Sequence, residues 1–330
     1  MEKWVALFPI SSTTASWEDE PLDPSLLPME VSAGITVEDA SQIFKHDFDL
    51  LDAELGKRDR DAFRGLKWAI VHRFEADQSN LATAFDDSNH LIANVAACLR
   101  LIRPTRENTM KVRGKIRPGA LIDWNYFETP IHILAVPEIQ KSYFIRNRDL
   151  VQLKAVLPGF LQAMRGPFWK FRMAVEFHDA GHFQEWHWKA KYSLWCSALE
   201  SIFTCESKGH RYSFVAIERI KWLIGENTPI YTPEDDAAVR LVGDVPIRIA
   251  VKDVLEKLYE VRNCIAHGRK IPDGFFNVTV RKYCGQNLCQ VQVLLEALSV
   301  IIRISVLKIL TDGLLPHFAD QSCTVPTRCR

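Results

Sequence analysis

The sequence predicts a mainly α-helical protein in two parts, an N-terminal α+β region over residues 1–148 and a helical bundle over residues 149–322, with a short tail at 323–330. Three observations lead there. Apolar residues recur at helical spacing in six successive segments after residue 148, whereas short apolar runs broken by proline precede it. At 330 residues the chain is longer than one core usually serves. Its composition, 47% apolar and 25% charged, supplies a packed interior and excludes a disordered or fibrous chain.

In chain order, residues 4–8 read as a short strand, followed by a polar loop through Pro21, Pro24 and Pro28 and a second strand over 31–37. Asp39 or Ser41 is placed to cap a helix carrying Ile43, Phe44, Phe48, Leu51 and Leu55. Further helices are predicted over 63–74 and 79–101. The basic stretch 103–118, with Gly114 and two prolines, suits a hairpin or surface loop, and 131–136 a buried strand. The bundle then opens with Leu150, Leu153, Val156, Leu157 and Phe160 on one stripe and a second helix over 168–177. Tyr192, Leu194, Trp195, Ala198, Leu199, Ile202 and Phe203 mark the third. Residues 214–223, 251–265 and 291–310 give the last three.

Charge narrows the function classes. Lys+Arg and Asp+Glu both number 41, which excludes nucleic-acid binding through bulk charge alone. The balance is not local: residues 1–61 hold 14 acidic and 5 basic side chains, and residues 100–172 hold 14 basic and 5 acidic. Such asymmetry is either a footprint for a polyanion or two faces that pair with each other. The longest apolar stretch, 298–315, is interrupted by Arg303, Lys308 and Asp312, so it reads as a core helix and no membrane span is expected. Residues 4–10 are short for a signal-peptide core and Glu18, Asp19 and Glu20 follow, so no export signal is read. The 8 cysteines are scattered without a C-x2-C pair, which fits reduced thiols in a cytoplasmic protein.

One segment carries chemistry. In DVLEKLYEVRNCIAHGRK, Val251, Val254, Leu255, Leu258, Val261 and Ile265 mark a buried face, and Arg262 falls four residues after Leu258, on or beside it. Asn263 and His267 are also four apart, and Gly268 is the residue type that ends a helix in a left-handed conformation. His267 therefore sits where the helix dipole favours the imidazolium. An always-charged fork donor and a titratable imidazole serve phosphodiester chemistry without a metal: Arg stabilises charge on a phosphate, and His moves a proton to or from an oxygen. On this spacing alone the bland alternative, an Arg paired with an internal carboxylate and a His bonding the last helical carbonyls, is the commoner of the two.

Arg262-Asn263-Cys264-Ile265-Ala266-His267, with Gly268 after it, resembles the motif of the HEPN superfamily, and the chain is similar to its Apea-like group. The resemblance extends to KYSLWCSALESIFTC at Lys191 to Cys205 and to residues 219–224, and covers about 150–315. It implies a bundle of about five helices that dimerises and, in active members, cleaves RNA without metal. Glu200, on a helix whose other inner positions are apolar, is a buried partner for Arg262 or for a basic neighbour, or else a group that positions the Arg or the RNA.

A second constellation competes. His178-Asp179, with His182 one turn on, resembles the signature of the HD phosphohydrolases, in which His and Asp bind a divalent metal. His132 and Asp235 are nominal further ligands without a recognisable context. His187 between Trp186 and Trp188 is placed either to stack on bases or to pack in the core. No phosphate-binding Gly-rich loop, nucleophile elbow, H-E-x-x-H helix or dinucleotide fingerprint occurs.

The expectation is a metal-independent, cofactor-free endoribonuclease of HEPN type, with the stress or antiviral defence setting that the resemblance implies. Arg262 would stabilise the transition state, His267 transfer protons, and Asn263 orient phosphate or imidazole. RNA and a second copy of the chain are the expected partners, with no DNA specificity. The alternatives are a non-catalytic HEPN module binding RNA, nucleotide or protein, and a metal-dependent phosphohydrolase at His178, Asp179 and His182.

Overall fold

The computed structural model describes residues 2–11, 23–39, 66–103, 111–117, 120–127, 145–182, 187–204, 212–232, 247–283 and 286–319. These are mainly helical, with a strand region at the N-terminal end. They fall into two compact units, the first holding the described residues through Leu161 and the second those from Gln162 onward.

In the first unit, β1 (Glu2–Ser11), β2 (Met29–Ser32), β3 (Ile35–Asp39), β4 (Leu66–Ala76), β5 (Lys111–Arg117) and β6 (Ala120–Phe127) form one antiparallel sheet in the order β2-β3-β4-β1-β5-β6. The strand expected over 31–37 is a hairpin instead. Gly34, at φ +72°, makes the turn between β2 and β3, a conformation that a Cβ disfavours. The expected helix over 63–74 is also a strand. Trp68, Ala69, Ile70 and Val71 are all buried because β4 lies inside the sheet between β3 and β1, and such a continuous apolar run carries no period by which to tell strand from helix. The stretch expected as a hairpin or loop over 103–118 contains β5, which pairs with both β1 and β6. The expected helix around Ile43 to Leu55 and the strand over 131–136 lie outside the described residues.

α1 (Leu81–Ile102) packs on β4 and β1, with Phe85 meeting Trp4 and Phe74 edge-on at 5.1 and 5.3 Å. Ser88 Oγ and His72 Nδ1 are 2.7 Å apart, linking helix to sheet. α2 (Asn147–Arg165) buries its predicted stripe of Leu150, Leu153, Val156, Leu157 and Phe160. Asp149 near its start pairs with the buried guanidinium of Arg103 at 3.7 Å and with Arg146 at 3.2 Å.

The second unit is the bundle: α3 (Trp169–His182), α4 (Trp188–Phe203), α5 (Tyr212–Ile224), α6 (Val251–Ala266), α7 (Gln290–Thr311) and the short α8 (Leu315–Ala319). Two small hairpins join it, β7 (Pro229–Thr232) with β8 (Ile247–Ala250) and β9 (Val278–Tyr283) with β10 (Gln286–Cys289). α7 is buried around most of its circumference, Ser299, Arg303 and Ser305 included, and it contacts α4, α5 and α6. No described helix is long and apolar enough to cross a membrane.

Candidate functional site

α6 owes its place to the apolar face of Val251, Val254, Leu255, Leu258 and Val261, all buried against the bundle. Its end is a Schellman closure. Gly268 N–H bonds the Ile265 carbonyl at 3.2 Å and Arg269 N–H the Cys264 carbonyl at 2.8 Å, with Gly268 at φ +62°. His267 is the C-cap residue and is exposed, and no described residue hydrogen-bonds its imidazole. The face expected to include Ile265 loosens there, since Ile265 is half-buried.

Arg262 is 31% exposed and donates Nη2–H to Oε2 of Glu200 at 2.9 Å, the Glu200 side chain being 21% exposed. Its Nη1 reaches Asn263 Oδ1 at 3.4 Å. Glu200 is held on α4, whose buried stripe includes Tyr192, Trp195, Ala198, Leu199, Ile202 and Phe203. The sequence-predicted Arg262, Asn263 and Glu200 are thus joined by hydrogen bonds. At about 100° per residue, Asn263 and His267 differ by roughly 40° around the helix axis and Arg262 and His267 by roughly 140°. Arg262 turns toward α4, while Asn263 shares a side with His267.

Two groups below this pair were not read from the sequence. Tyr259, one turn before Arg262, is 3% exposed, and its hydroxyl has no partner among the described residues. Cys196, one turn before Glu200, is 1% exposed. Burial pushes the Tyr259 hydroxyl far above its ordinary range, the neighbouring Cys196 and Glu200 push the same way, and Arg262 opposes them. The Cys196 thiol is likewise driven up, first by burial and then by Glu200. A thiol so protonated is not a nucleophile. Both side chains stand at helical spacing within apolar stripes, which is the pattern of core packing; only their distance of one turn from Arg262 and Glu200 marked them out. Tyr192 Oη closes the layer by donating to the Leu258 carbonyl at 2.9 Å.

Elsewhere, α3 brings His178 and His182 together, Nε2 to Nε2 at 3.3 Å, with His178 buried and His182 and Asp179 half-buried. Among the described residues no group of three or more His, Cys, Asp or Glu is arranged to hold a metal ion. His132 and Asp235 lie outside them, as does Trp186. His187 is exposed just before α4, and Trp188 is half-buried with Lys189 Nζ 5.7 Å from its ring centroid.

No protein-family model, curated protein or solved structure matches the chain.

Proposed function

We propose that the chain is a metal-independent endoribonuclease of HEPN type, acting at Arg262, Asn263 and His267. The observation that carries this reading is the Arg262–Glu200 contact at 2.9 Å beside an exposed Asn263 and an exposed His267 at one helix end. A carboxylate that fixes one edge of the guanidinium leaves its other N–H groups directed for a phosphate. The exposed imidazole of His267 at the helix C-terminus supplies or takes a proton.

A site without a metal uses a nucleophile already in the substrate. The ribose 2′-hydroxyl next to the scissile phosphate attacks phosphorus, its proton passes to a base, and the 5′-oxygen leaves with a proton from an acid. The products are a 2′,3′-cyclic phosphate and a 5′-hydroxyl. Acid and base are two roles, and one copy of the motif holds a single His. Arg262 and His267 also diverge around α6. Both points support a homodimer in which two motifs face one strand. The stress or defence role and the cytoplasmic setting belong to the same proposal; the free thiols Cys98, Cys196, Cys264 and Cys289 are compatible with them.

The test is cleavage of total RNA in EDTA by wild type and by His267→Ala. Metal-free cleavage lost in the variant is the expected result; equal cleavage by both removes His267 from the mechanism. One observation favours a second reading, a non-catalytic HEPN module for RNA, nucleotide or a protein: Glu200 already neutralises Arg262. Binding of RNA without cleavage would select it.

A further inference from the structure

We propose that Tyr259 is a positioning residue for the reaction at Arg262 and His267: with RNA bound, its hydroxyl donates to the Glu200 carboxylate and so steadies the guanidinium. The role rests on the endoribonuclease reading above and deepens it. Tyr192, Cys196 and Glu200 follow one another a turn apart on α4, facing Leu258, Tyr259 and Arg262 of α6. One end of this layer is closed by Tyr192 Oη on the Leu258 carbonyl at 2.9 Å, the other by Arg262 on Glu200 at 2.9 Å. Tyr259 lies between Leu258 and Arg262 on α6, and its hydroxyl has no partner among the described residues.

An unpaired hydroxyl in a packed interior costs free energy that a phenylalanine at the same place avoids. Tyr259 is 3% exposed, so solvent does not offset that cost. Burial foremost, and then Cys196 and Glu200, keep the hydroxyl protonated, so it remains able to donate. Glu200 offers the acceptor. Arg262 engages only its Oε2, and no described residue bonds Oε1. The Glu200 side chain is 21% exposed, which leaves the carboxylate open to solvent in the free protein.

RNA laid across Arg262 and His267 takes that solvent away. A carboxylate losing its hydration turns to a nearby donor, and the Tyr259 hydroxyl is the donor in this layer without a partner. The bond then forms in the complex and not before, the condition under which a contact raises kcat rather than affinity. Bonded to Tyr259 as well as to Arg262, the carboxylate keeps the planar fork aligned while charge builds on the phosphate.

Tyr259→Phe in the full chain tests the role, by urea unfolding and by single-turnover cleavage of RNA in EDTA. The variant should unfold at the same urea concentration as wild type or a higher one. RNA should half-saturate it at an unchanged concentration, while the cleavage rate at saturation falls about fivefold. In a Glu200→Ala background the same change should have no further effect, because the hydroxyl acts through that carboxylate. An undiminished rate in Tyr259→Phe, or losses that multiply in the double variant, overturns the role and leaves the endoribonuclease reading standing. A variant that unfolds more readily than wild type overturns it too, since the hydroxyl would then be paired in the free protein. Wild type without metal-free cleavage removes the reading and this role together.

Discussion

Arg262 on α6 and Glu200 on α4 meet at 2.9 Å with both side chains still partly open to solvent. The contact orients the guanidinium but also offsets its charge. At the distance of a bound phosphate, a partly exposed carboxylate repels it by only ~1 kcal/mol, taking an effective dielectric near 40. Misplacing the fork costs more.

Glu200→Gln should accordingly reduce RNA cleavage about tenfold or more, chiefly in kcat, and Arg262→Lys further still because an ammonium lacks the planar fork. Single-turnover cleavage measures both. The coupling between the two residues in a stability cycle should stay near or below about 1 kcal/mol, given their exposure. A cleavage rate unchanged by Glu200→Gln would remove Glu200 from any positioning role.

Leu258→Ala should destabilise by about 2 to 5 kcal/mol, because Leu258 is fully buried against the bundle and truncation leaves a cavity. His267→Ala, at an exposed C-cap position, should change stability by no more than ~0.5 kcal/mol. Urea unfolding compares the two. Equal losses would mean that His267 is structural.

Arg219 on α5 is buried, with Nη1 bonded to the Phe203 carbonyl at 3.2 Å and its guanidinium 5.9 Å from the Phe318 ring centroid. Its Nε and Nη2 have no partner among the described residues, and burial pulls its pKa below the ordinary arginine value. Replacing such a charge with an apolar side chain of similar length relieves its desolvation. Arg219→Met should leave stability unchanged or raise it by up to about 2 kcal/mol. A loss of more than that, read by thermal melting, would show that the charge is compensated.

His72, on β4 against Ser88, has its pKa lowered by burial. The unfolded chain, with an ordinary value near 6.5, then binds the proton more readily than the native protein. The stability that neutral His72 contributes is fully present above that value and is lost as pH falls through the lower native one. Denaturation midpoints from pH 7.5 down to 5 should fall less steeply in His72→Gln than in wild type. Parallel slopes would contradict the burial effect.

What the sequence made legible follows from how local each signal is. α2, α4 and α6 were readable because each presents a stripe at helical period to a core, and α7 because its apolar stretch is 22 residues long, too long for a strand. β4 was not, since Trp68 to Val71 are apolar without interruption and only the neighbours β3 and β1 decide the conformation. The β2–β3 hairpin was missed because a two-residue turn at Ala33 and Gly34 hides inside one apparent strand. At the site, Arg262, Asn263 and His267 lie within a single segment and their spacing is visible. The contact with Glu200 joins two distant segments, and Tyr259 and Cys196 look like core until that contact is known.

β1 lies in the interior of its sheet, with Glu2 opposite Ala76 on one edge and Trp4 opposite Lys115 on the other. During synthesis from the N-terminus this strand is made before both its partners, and neither edge is paired until β4 and then β5 have emerged. In the interval its N–H and C=O groups are open to any other extended chain. The first unit therefore closes late and through distant pairings, the kind that slow folding. Ribosome-bound chains stopped before residue 66 should consequently be the most prone to aggregate.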